Sequence, residues 1–400
     1  MRLFCVFLFS IILISCSGDN LNSSNEVQQR INDIEQITDD EQAQQKADEL
    51  WQELASLDQI PYTSDSTVIF LYKGEAETVS WNGDFNSWGG NKSVQITGEQ
   101  IGNTDLWVAT TEFPSDARLD YKITLNESDW ILDPANPHQQ WSGFGPNSEL
   151  RMPDWKPEPL TFRSPETNKG LLWEPQMLES QPLGYTVSYQ VYIPNGYENT
   201  DELPVIYVTD GQEYSDDNLG SMVIVLDNLI DKELIKPVMA VFVNPLDPSN
   251  PDINRRMDEM GNNEDYLNFF VEELIPTIES EYKVSPKKED RAILGTSLGG
   301  LNATYFAFSR PDIFGNVAIQ APAFWYREEI YELVKQTEVD DINIYMSVGT
   351  IGDNTIDART MKTIFEEKNL EFTYLEVNEG HSWGAWRTQL DDILIQFFGE

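Results

Sequence analysis

The sequence contains very little cysteine, histidine and positive charge. Its 400 residues include two cysteines and two histidines, which excludes a zinc site built from several Cys or His ligands. There are 26 lysines and arginines against 68 aspartates and glutamates, giving a formal net charge of −42. A surface of this charge repels phosphate groups, so we expect no nucleic-acid partner and no electrostatic docking on anionic lipid.

Apolar residues are abundant enough for a large folded core. Hydrophobic residues make up 40% of the chain and aromatic residues 12%, which excludes a chain that is disordered throughout. At ~100–200 residues per domain, the length indicates two or three structural units. A carboxylate-only site for calcium or magnesium is compatible with this composition, but we identify no metal site in the sequence.

The N-terminus has the composition of an export signal. Arg2 precedes an apolar stretch over residues 3–14 that is too short to span a bilayer. The stretch ends in Leu-Ile-Ser-Cys at Cys16, which resembles a bacterial lipobox; the alternative is an ordinary signal peptide that contains a cysteine. We predict that residues 1–15 are removed and that Cys16 is lipidated. With Ser17 after it, the anchor should lie in a Gram-negative outer membrane, on the periplasmic or cell-surface side.

The remaining chain divides by pattern into four segments. Residues 16–60 combine the lipidated tether with a helical segment, which fits either a stalk or helices packed on a domain. Short strands separated by Gly, Asn and Asp predict a β-sandwich over residues 61–155. Prolines indicate an extended linker over residues 156–184. Strands then alternate with helices over residues 185–400, which predicts an α/β domain with a doubly wound parallel sheet.

A G-x-S-x-G motif in the α/β segment marks a candidate nucleophile. It centres on Ser297, with the apolar run Ala292–Leu294 before it and a helical run after it. A strand, a tight glycine turn and a helix form the nucleophile elbow of α/β-hydrolases, which holds the serine hydroxyl out above the sheet. The alternative is a glycine-rich turn without chemistry.

A serine nucleophile requires a base and an acid that orients this base. His381 follows the predicted strand Thr373–Val377, whereas His138 lies before the α/β segment and reads as a turn residue. The acid should follow a strand between Ser297 and His381. Asp353 is the first carboxylate in that place, and Asp357 is the competitor, better suited to a helix cap.

The oxyanion of an acyl-transfer reaction needs two backbone N–H donors. Leu298, directly after the nucleophile, should supply one of them. The second should come from the loop after the strand Val205–Thr209, where we favour Gln212 and keep Gly211 as the alternative.

Two loops of the α/β segment are candidates for substrate contact. Phe324, Trp325 and Tyr326 could line a pocket for an aromatic acyl group, or could pack on the core. Arg255 and Arg256 lie in a polar loop that could meet an anionic substrate.

The motifs of residues 185–400 together resemble a known family. The sequences VTDG at 208–211, GTSLGGL at 295–301, GTIGD at 349–353 and EGHSWGAWR at 379–387 resemble the esterase D and enterochelin-esterase-like α/β-hydrolases. Feruloyl and acetyl-xylan esterases are related to this branch. The resemblance implies a serine carboxylic ester hydrolase that acts through an acyl-enzyme on a small-molecule or polysaccharide ester, without a cofactor.

The segment before it resembles another family. Residues 66–153, with the sequence WNGDFNSW at 81–88, are similar to the early-set sandwich related to glycogen-binding modules. This resemblance implies glycan contacts from Trp88, Lys122, Trp130 and Asn147. The alternative is that these residues pack locally in a sandwich that serves as a spacer or as a wall of the active site.

The sequence therefore predicts a membrane-anchored esterase with two substrate classes open. Feruloyl or acetyl esters of polysaccharide would suit a glycan-binding sandwich, and siderophore trilactones would suit the enterochelin-esterase resemblance. A surface glycan-binding lipoprotein with an inactive hydrolase domain is an alternative from another functional class. An acyltransferase is a third, because an alcohol can capture the same acyl-enzyme.

Overall fold

The computed structural model describes residues 23–200 and 202–399. The predicted signal peptide and the lipidation site Cys16 lie outside these residues. No helix within the described ranges is long and apolar enough to cross a membrane.

Two helices open the described chain, α1 (Ser24–Glu35) and α2 (Asp40–Ser56). Each begins at a side-chain cap: the Ser23 hydroxyl accepts from the N–H of Glu26, and the Asp39 carboxylate accepts from that of Gln42. Their apolar residues recur at helical spacing and are buried against the strands that follow; the largest are Val27, Ile31, Ile34, Leu50 and Leu54. The helices are therefore packed on a domain and do not form a free stalk.

Ten short strands follow and form two antiparallel sheets. They are β1 (Tyr62–Ser64), β2 (Thr67–Lys73), β3 (Val79–Gly83), β4 (Ile96–Thr97), β5 (Glu99–Gln100), β6 (Leu106–Glu112), β7 (Arg118–Leu125), β8 (Asp129–Ile131), β9 (Gln139–Ser142) and β10 (Gly145–Arg151). The outer sheet has the order β1-β2-β6-β5, and α1 and α2 cover it. The inner sheet has the order β4-β3-β7-β10-β9, with β8 paired to β7. Apolar side chains of both sheets meet in one core, as in a sandwich.

Strand β7 shows why the inner sheet has two different faces. Successive side chains of a strand point to opposite sides. Leu119, Tyr121 and Ile123 enter the sandwich core, whereas Arg118 and Asp120 make contacts on the other face. That other face of the sheet is directed at the α/β domain.

The α/β domain is built on one nine-stranded sheet. Its chain contains β11 (Leu171–Leu172), β12 (Gln176–Glu179), β13 (Thr186–Ile193), β14 (Val205–Val208), β15 (Met239–Asn244), the small hairpin β16 (Leu246–Asp247) and β17 (Asn250–Asn254), β18 (Arg291–Thr296), β19 (Asn316–Gln320), β20 (Asn343–Gly349) and β21 (Phe372–Val377). The order is β11-β13-β15-β14-β18-β19-β20-β21, with β12 also on β13. From β15 to β21 all neighbours are parallel.

Helices cover both faces of this sheet. They are α3 (Gly211–Tyr214), α4 (Met222–Asp231), α5 (Arg256–Glu259), α6 (Glu264–Asn268), α7 (Ile275–Glu281), α8 (Leu298–Ser309), α9 (Glu329–Gln336), α10 (Thr355–Glu367), α11 (Trp383–Arg387) and α12 (Leu390–Phe398). One apolar core includes side chains of α8 and α10, and the other includes side chains of α4 and α12. A doubly wound α/β sheet preceded by a β-sandwich, as predicted, is confirmed.

The segment over residues 156–184 differs from the linker that its prolines suggested. Strands β11 and β12 lie within it and pair antiparallel with β13 at the edge of the large sheet. The prolines of this segment lie before, between and after the two strands and not within them. This segment is therefore part of the α/β sheet.

Candidate active site

Three polar side chains meet at the carboxyl ends of the parallel strands. The Nε2 of His381 lies 3.0 Å from the Oγ of Ser297, and its Nδ1 lies 2.6 Å from Oδ1 of Asp353. The imidazole is about a third exposed, whereas the Asp353 carboxylate is fully buried. The three residues form a continuous hydrogen-bonded chain that ends at a hydroxyl at the surface of a cleft.

Ser297 occupies a strained turn between β18 and α8. Its backbone angles are φ 58° and ψ −116°, which a residue with a side chain rarely adopts. The turn is tight because Gly295 has no side chain: a Cβ there would lie 2.2 Å from the carbonyl oxygen of Gly299. This is the geometry of a nucleophile elbow.

The loop after β20 separates the two candidate acids. Asp353 accepts backbone hydrogen bonds from Gly349 (2.7 Å) and Asn354 (2.6 Å), which fix its carboxylate beside His381. Asp357 lies in the first turn of α10 and accepts a hydrogen bond from the hydroxyl of Tyr331 at 2.9 Å. The structure therefore brings Asp353, and not Asp357, to the imidazole.

Two helices, α8 and α3, begin directly after the parallel strands β18 and β14. Leu298 is the first residue of α8, and Gln212 is the second residue of α3. The first N–H groups of a helix have no partner within that helix, so they are free to bind a negative charge. Gly211 starts α3 against β15, where a Cβ would lie 2.3 Å from the backbone of Phe242.

A cleft of about 630 Å³ lies over the serine, between the sandwich and the α/β domain. Ser297 and His381 form part of its floor, together with Trp383 and Trp386. Residues from the sandwich line it as well: Asp84, Trp88, Asp120, Lys122, Trp130, Ser142, Gly143, Phe144 and Asn147. The four residues predicted for glycan contact therefore lie in the same cleft as the candidate nucleophile.

The sandwich wall presents aromatic rings to this cleft. Trp88 and Trp130 lie with ring centroids 6.4 Å apart and an angle of 30° between their planes. Trp88 lies within a turn of positive φ (its own φ is 54°), and the Asn86 side chain braces this turn by accepting from the N–H of Gly89. Phe144 is fully exposed at the tip of the hairpin between β9 and β10. Large exposed rings that line a cleft indicate a binding surface.

Acidic groups at the base of the cleft are buried. Burial, followed by the neighbouring Asp120 carboxylate, raises the pKa of Asp84 well above its usual value. Burial and then Asp210 also raise the pKa of Glu213, which accepts a hydrogen bond from the indole N–H of Trp383 at 2.7 Å. Among residues 23–200 and 202–399, no three or more His, Cys, Asp or Glu side chains are placed to hold a metal ion.

A comparison with protein families identifies the α/β domain. The Esterase family, described as "Putative esterase", matches residues 180–397. The chain belongs to this esterase family. It is a carboxylic ester hydrolase of the enterochelin-esterase-like type, as its motifs predicted.

Relatives of this esterase have different names. It is 26% identical over 227 residues to the uncharacterized protein YjcH of Bacillus subtilis, covering 54% of this chain and 92% of YjcH. It is also 26% identical to an endo-1,4-beta-xylanase/feruloyl esterase of Xylanibacter ruminicola (56% of this chain, 31% of the relative). Identity is again 26% to an iron(III) enterobactin esterase of Escherichia coli (57% of this chain, 60% of the relative). The match spans less than two thirds of the two relatives named for an activity.

Solved structures share the fold over most of the chain. The enterobactin esterase of Shigella flexneri superposes with a TM-score of 0.69 at 20% identity, covering 84% of this chain and 94% of its own. The ferric enterobactin esterase of Salmonella typhimurium gives a TM-score of 0.69 at 20% identity, covering 83% and 93%. At this identity the likeness shows the fold.

The three aromatic residues predicted for a substrate pocket of the esterase do not line the cleft. Phe324 is completely buried in the α/β core, and neither Trp325 nor Tyr326 is among the residues that line the cleft. Phe324 therefore packs on the core, which was the alternative to a substrate pocket. Trp325 instead donates a hydrogen bond from its indole N–H to the side-chain oxygen of Asn354.

The two arginines of the polar loop are occupied by carboxylates. Arg256 donates to both carboxylate oxygens of Asp210, at 2.7 and 2.9 Å, and Arg255 pairs with Asp247 and stacks on the ring of Tyr185. These pairs hold the loop in place beside the elbow, and Arg256 also lines the cleft.

The esterase also contains site residues that the sequence reading missed. Asp84, Asp120 and Phe144 of the sandwich reach the cleft, as do Glu213 and Trp383 of the α/β domain. The alternation of charged and apolar residues along β7 was the available signal. This alternation indicates that one face of the sheet is polar. It does not indicate that the α/β domain covers this face.

Proposed function

We propose that this esterase acts through a serine nucleophile and an acyl-enzyme. The observation that carries the proposal is the unbroken hydrogen-bonded chain from Ser297 through His381 to Asp353. A serine hydroxyl needs such a base to become a nucleophile at neutral pH, and the imidazole needs the carboxylate to fix its tautomer.

The reaction consists of two displacements at one carbonyl carbon. Ser297 Oγ attacks the ester carbonyl while His381 Nε2 takes its proton, and the oxyanion accepts hydrogen bonds from the N–H groups of Leu298 and Gln212. The C–O bond to the alcohol breaks as His381 returns the proton to the leaving oxygen. Water then attacks the acyl-enzyme with His381 as base, which releases the acid and restores Ser297.

The sandwich wall supports an ester whose alcohol portion is a sugar, as in feruloyl or acetyl esters of polysaccharide. Trp88 and Trp130 offer ring faces, and Lys122 and Asn147 offer polar groups in the same cleft as Ser297. The feruloyl esterase name of one relative agrees with this substrate class.

A siderophore trilactone is the second candidate, and the name of the enterobactin esterase relative supports it. An iron-catecholate complex carries several negative charges and requires several free cations. Two basic residues line the cleft, Lys122 and Arg256, and Asp210 already holds Arg256. This charge pattern favours the sugar ester over the siderophore.

The test is hydrolysis of p-nitrophenyl acetate, methyl ferulate, a feruloylated oligosaccharide and ferric enterobactin by the purified protein and its Ser297→Ala variant. We expect the variant to lose on the order of 10⁶ in turnover on every ester the parent cleaves. The preferred substrate then decides between sugar esters and siderophores.

Three results would contradict parts of the proposal. Turnover unchanged by Ser297→Ala would remove the serine mechanism. No cleavage by the parent, together with glycan binding, would favour a binding lipoprotein with an inactive hydrolase domain. Transfer of the acyl group to an added sugar in preference to water would show an acyltransferase.

We also propose that a lipid on Cys16 anchors the enzyme in the outer membrane. The support is the sequence Leu-Ile-Ser-Cys after a short apolar stretch. Membrane fractions of cells that express the full chain should contain the parent protein, and Cys16→Ser should release it or leave its signal uncleaved. A variant that still carries acyl chains by mass spectrometry would contradict this anchor.

A further inference from the structure

Arg118 is a completely buried cation at the junction of the two domains. Its side chain is 0% exposed, and its guanidinium pairs with Asp120 at 2.5 Å and Glu149 at 2.6 Å. An unpaired guanidinium in this place would be strongly destabilising, so the two carboxylates account for its presence. The N–H groups on Nη1 remain, and they face the α/β domain, where Oε2 of Glu379 lies 3.9 Å away.

Those remaining groups point at the loop that carries His381. Nη1 of Arg118 donates to the hydroxyl of Ser382 at 2.9 Å, and the Arg118 backbone N–H donates to the carbonyl of Asn378 at 3.2 Å. One sandwich residue thus holds this loop on both sides of the histidine.

Two glycines of the α/β domain make room for the sandwich beside His381. A Cβ on Gly384 would lie 2.0 Å from Cζ of Arg118, and a Cβ on Gly380 would lie 2.2 Å from the Asp84 carboxyl group. Asp84 is in turn bound to the same strand as Arg118, since its Oδ2 accepts from the N–H of Asp120 at 2.8 Å. The histidine loop is therefore shaped to receive these two side chains.

We infer that Arg118 is a positioning residue for His381, through which the sandwich keeps the imidazole within reach of Ser297. The inference rests on the proposed role of His381 as the base. Arg118 does not line the cleft and is fully buried, so any effect on the reaction passes through the loop and not through contact with substrate. A shift of the imidazole by about 1 Å is enough to cost roughly 100-fold in rate.

The test compares Arg118→Lys, Arg118→Met and Ser382→Ala with Arg151→Met as the matched control. Arg151 also pairs with Glu149, at 2.5 Å, but is a third exposed and has no contact with the histidine loop among the residues described. We expect kcat to fall about 10- to 100-fold for Arg118→Met with KM nearly unchanged. Arg118→Lys and Ser382→Ala should lose less, roughly 5- to 10-fold, and Arg151→Met should keep the parent kcat.

Histidine NMR gives a readout that loss of stability alone would not move. The chain has two histidines, so the proton on Nδ1 of His381, bonded to Asp353, can be assigned by comparison with a His138→Gln variant. Its resonance should shift or broaden in folded Ser382→Ala and Arg118→Lys, and stay in place in Arg151→Met.

The outcomes separate this inference from the proposed mechanism. If Ser297→Ala is inactive while folded Arg118→Lys and Ser382→Ala keep kcat and the resonance, Arg118 has no positioning role. If Ser297→Ala is fully active, the serine mechanism fails first. Should the Arg118 variants not fold, Ser382→Ala decides, because it removes the hydrogen bond from Nη1 of Arg118 to the loop and leaves the buried ion pairs intact.

Discussion

The two sheets of the sandwich are covered by opposite chemistry. On the outer sheet, α1 and α2 place aliphatic side chains such as Ile31 and Leu50 against Ile69 and Leu71 of β2. On the inner sheet, Arg118 and its carboxylate partners meet the loop of His381. Apolar burial stabilises without fixing direction, whereas hydrogen bonds and ion pairs require particular distances and angles. The outer contact therefore supports the fold, and the inner contact fixes the relative position of two domains.

The largest expected effect is on kcat, from the carboxylate that holds His381 beside the inner contact. Asp353→Asn should lower kcat about 10⁴-fold, because the amide no longer holds the imidazole in the tautomer that accepts the serine proton. Asp357→Asn is the matched control, since Asp357 bonds Tyr331 instead, and should change kcat by less than about threefold. Steady-state kinetics on the best ester measures both; equal losses would show that the acid is misassigned.

The outer contact should affect stability without affecting catalysis. Leu50 is fully buried between α2 and the outer sheet, and Leu50→Ala should lower the free energy of unfolding by about 2–5 kcal/mol. Urea unfolding measures this change, with Leu57→Ala as a control because Leu57 is 45% exposed. A loss of kcat in folded Leu50→Ala would contradict the separation of the two contacts.

The pH dependence of stability should come partly from the inner contact. Burial raises the pKa of Glu379 to about 7 from 4.5, because the carboxylate loses its hydration. The folded protein then keeps a proton that the unfolded chain has released, so this stability is full below pH 4.5 and is lost as the pH rises through about 7. Glu379→Gln should remove this dependence, which is worth roughly 3 kcal/mol.

The control for this prediction has the opposite sign. Hydrogen bonding to Arg359 lowers the pKa of Glu376 to about 2, so its contribution is present above pH 4.5 and is lost as the pH falls through about 2. Glu376→Gln should therefore leave the decline between pH 5 and 8 unchanged in urea unfolding. An unchanged decline in Glu379→Gln would contradict the assignment to Glu379.

The smallest expected effect is on KM, from the tryptophans of the sandwich that line the cleft. Trp88→Ala or Trp130→Ala should raise KM for a feruloylated oligosaccharide about 2- to 10-fold, in line with the energy of one ring contact. Neither substitution should change KM for p-nitrophenyl acetate, which is too small to reach the sandwich side of the cleft. Trp173→Ala replaces a comparably exposed tryptophan outside the cleft and should change neither KM.

The parts of the site that follow from local sequence were the predictable ones. Ser297 lies in a motif with its strand and helix adjacent in the chain, and chain order led to His381 and Asp353. The fold class followed from the same alternation of strands and helices. These features depend on short stretches whose geometry is set by nearby residues.

The sandwich's contribution could not be predicted, because it depends on contacts distant in sequence. Arg118 and Ser382 are 264 positions apart, and nothing in either segment indicates the other. The charged face of β7 reads as an ordinary solvent-exposed face until the second domain is placed on it. The sequence left Phe324 open between a substrate pocket and the core for the converse reason: an aromatic loop near the serine looks accessible, although its first ring is buried in the core.

The bond between Arg118 and Ser382 has a consequence for the order of events during folding. Domains tend to fold as units, the N-terminal one first, so we expect the sandwich to form before the segments that carry Ser297, Asp353 and His381. Arg118 would then already be in place when the loop that carries His381 and Ser382 folds. If Arg118 positions His381, we expect activity to appear only after the loop of the α/β domain has packed against the sandwich.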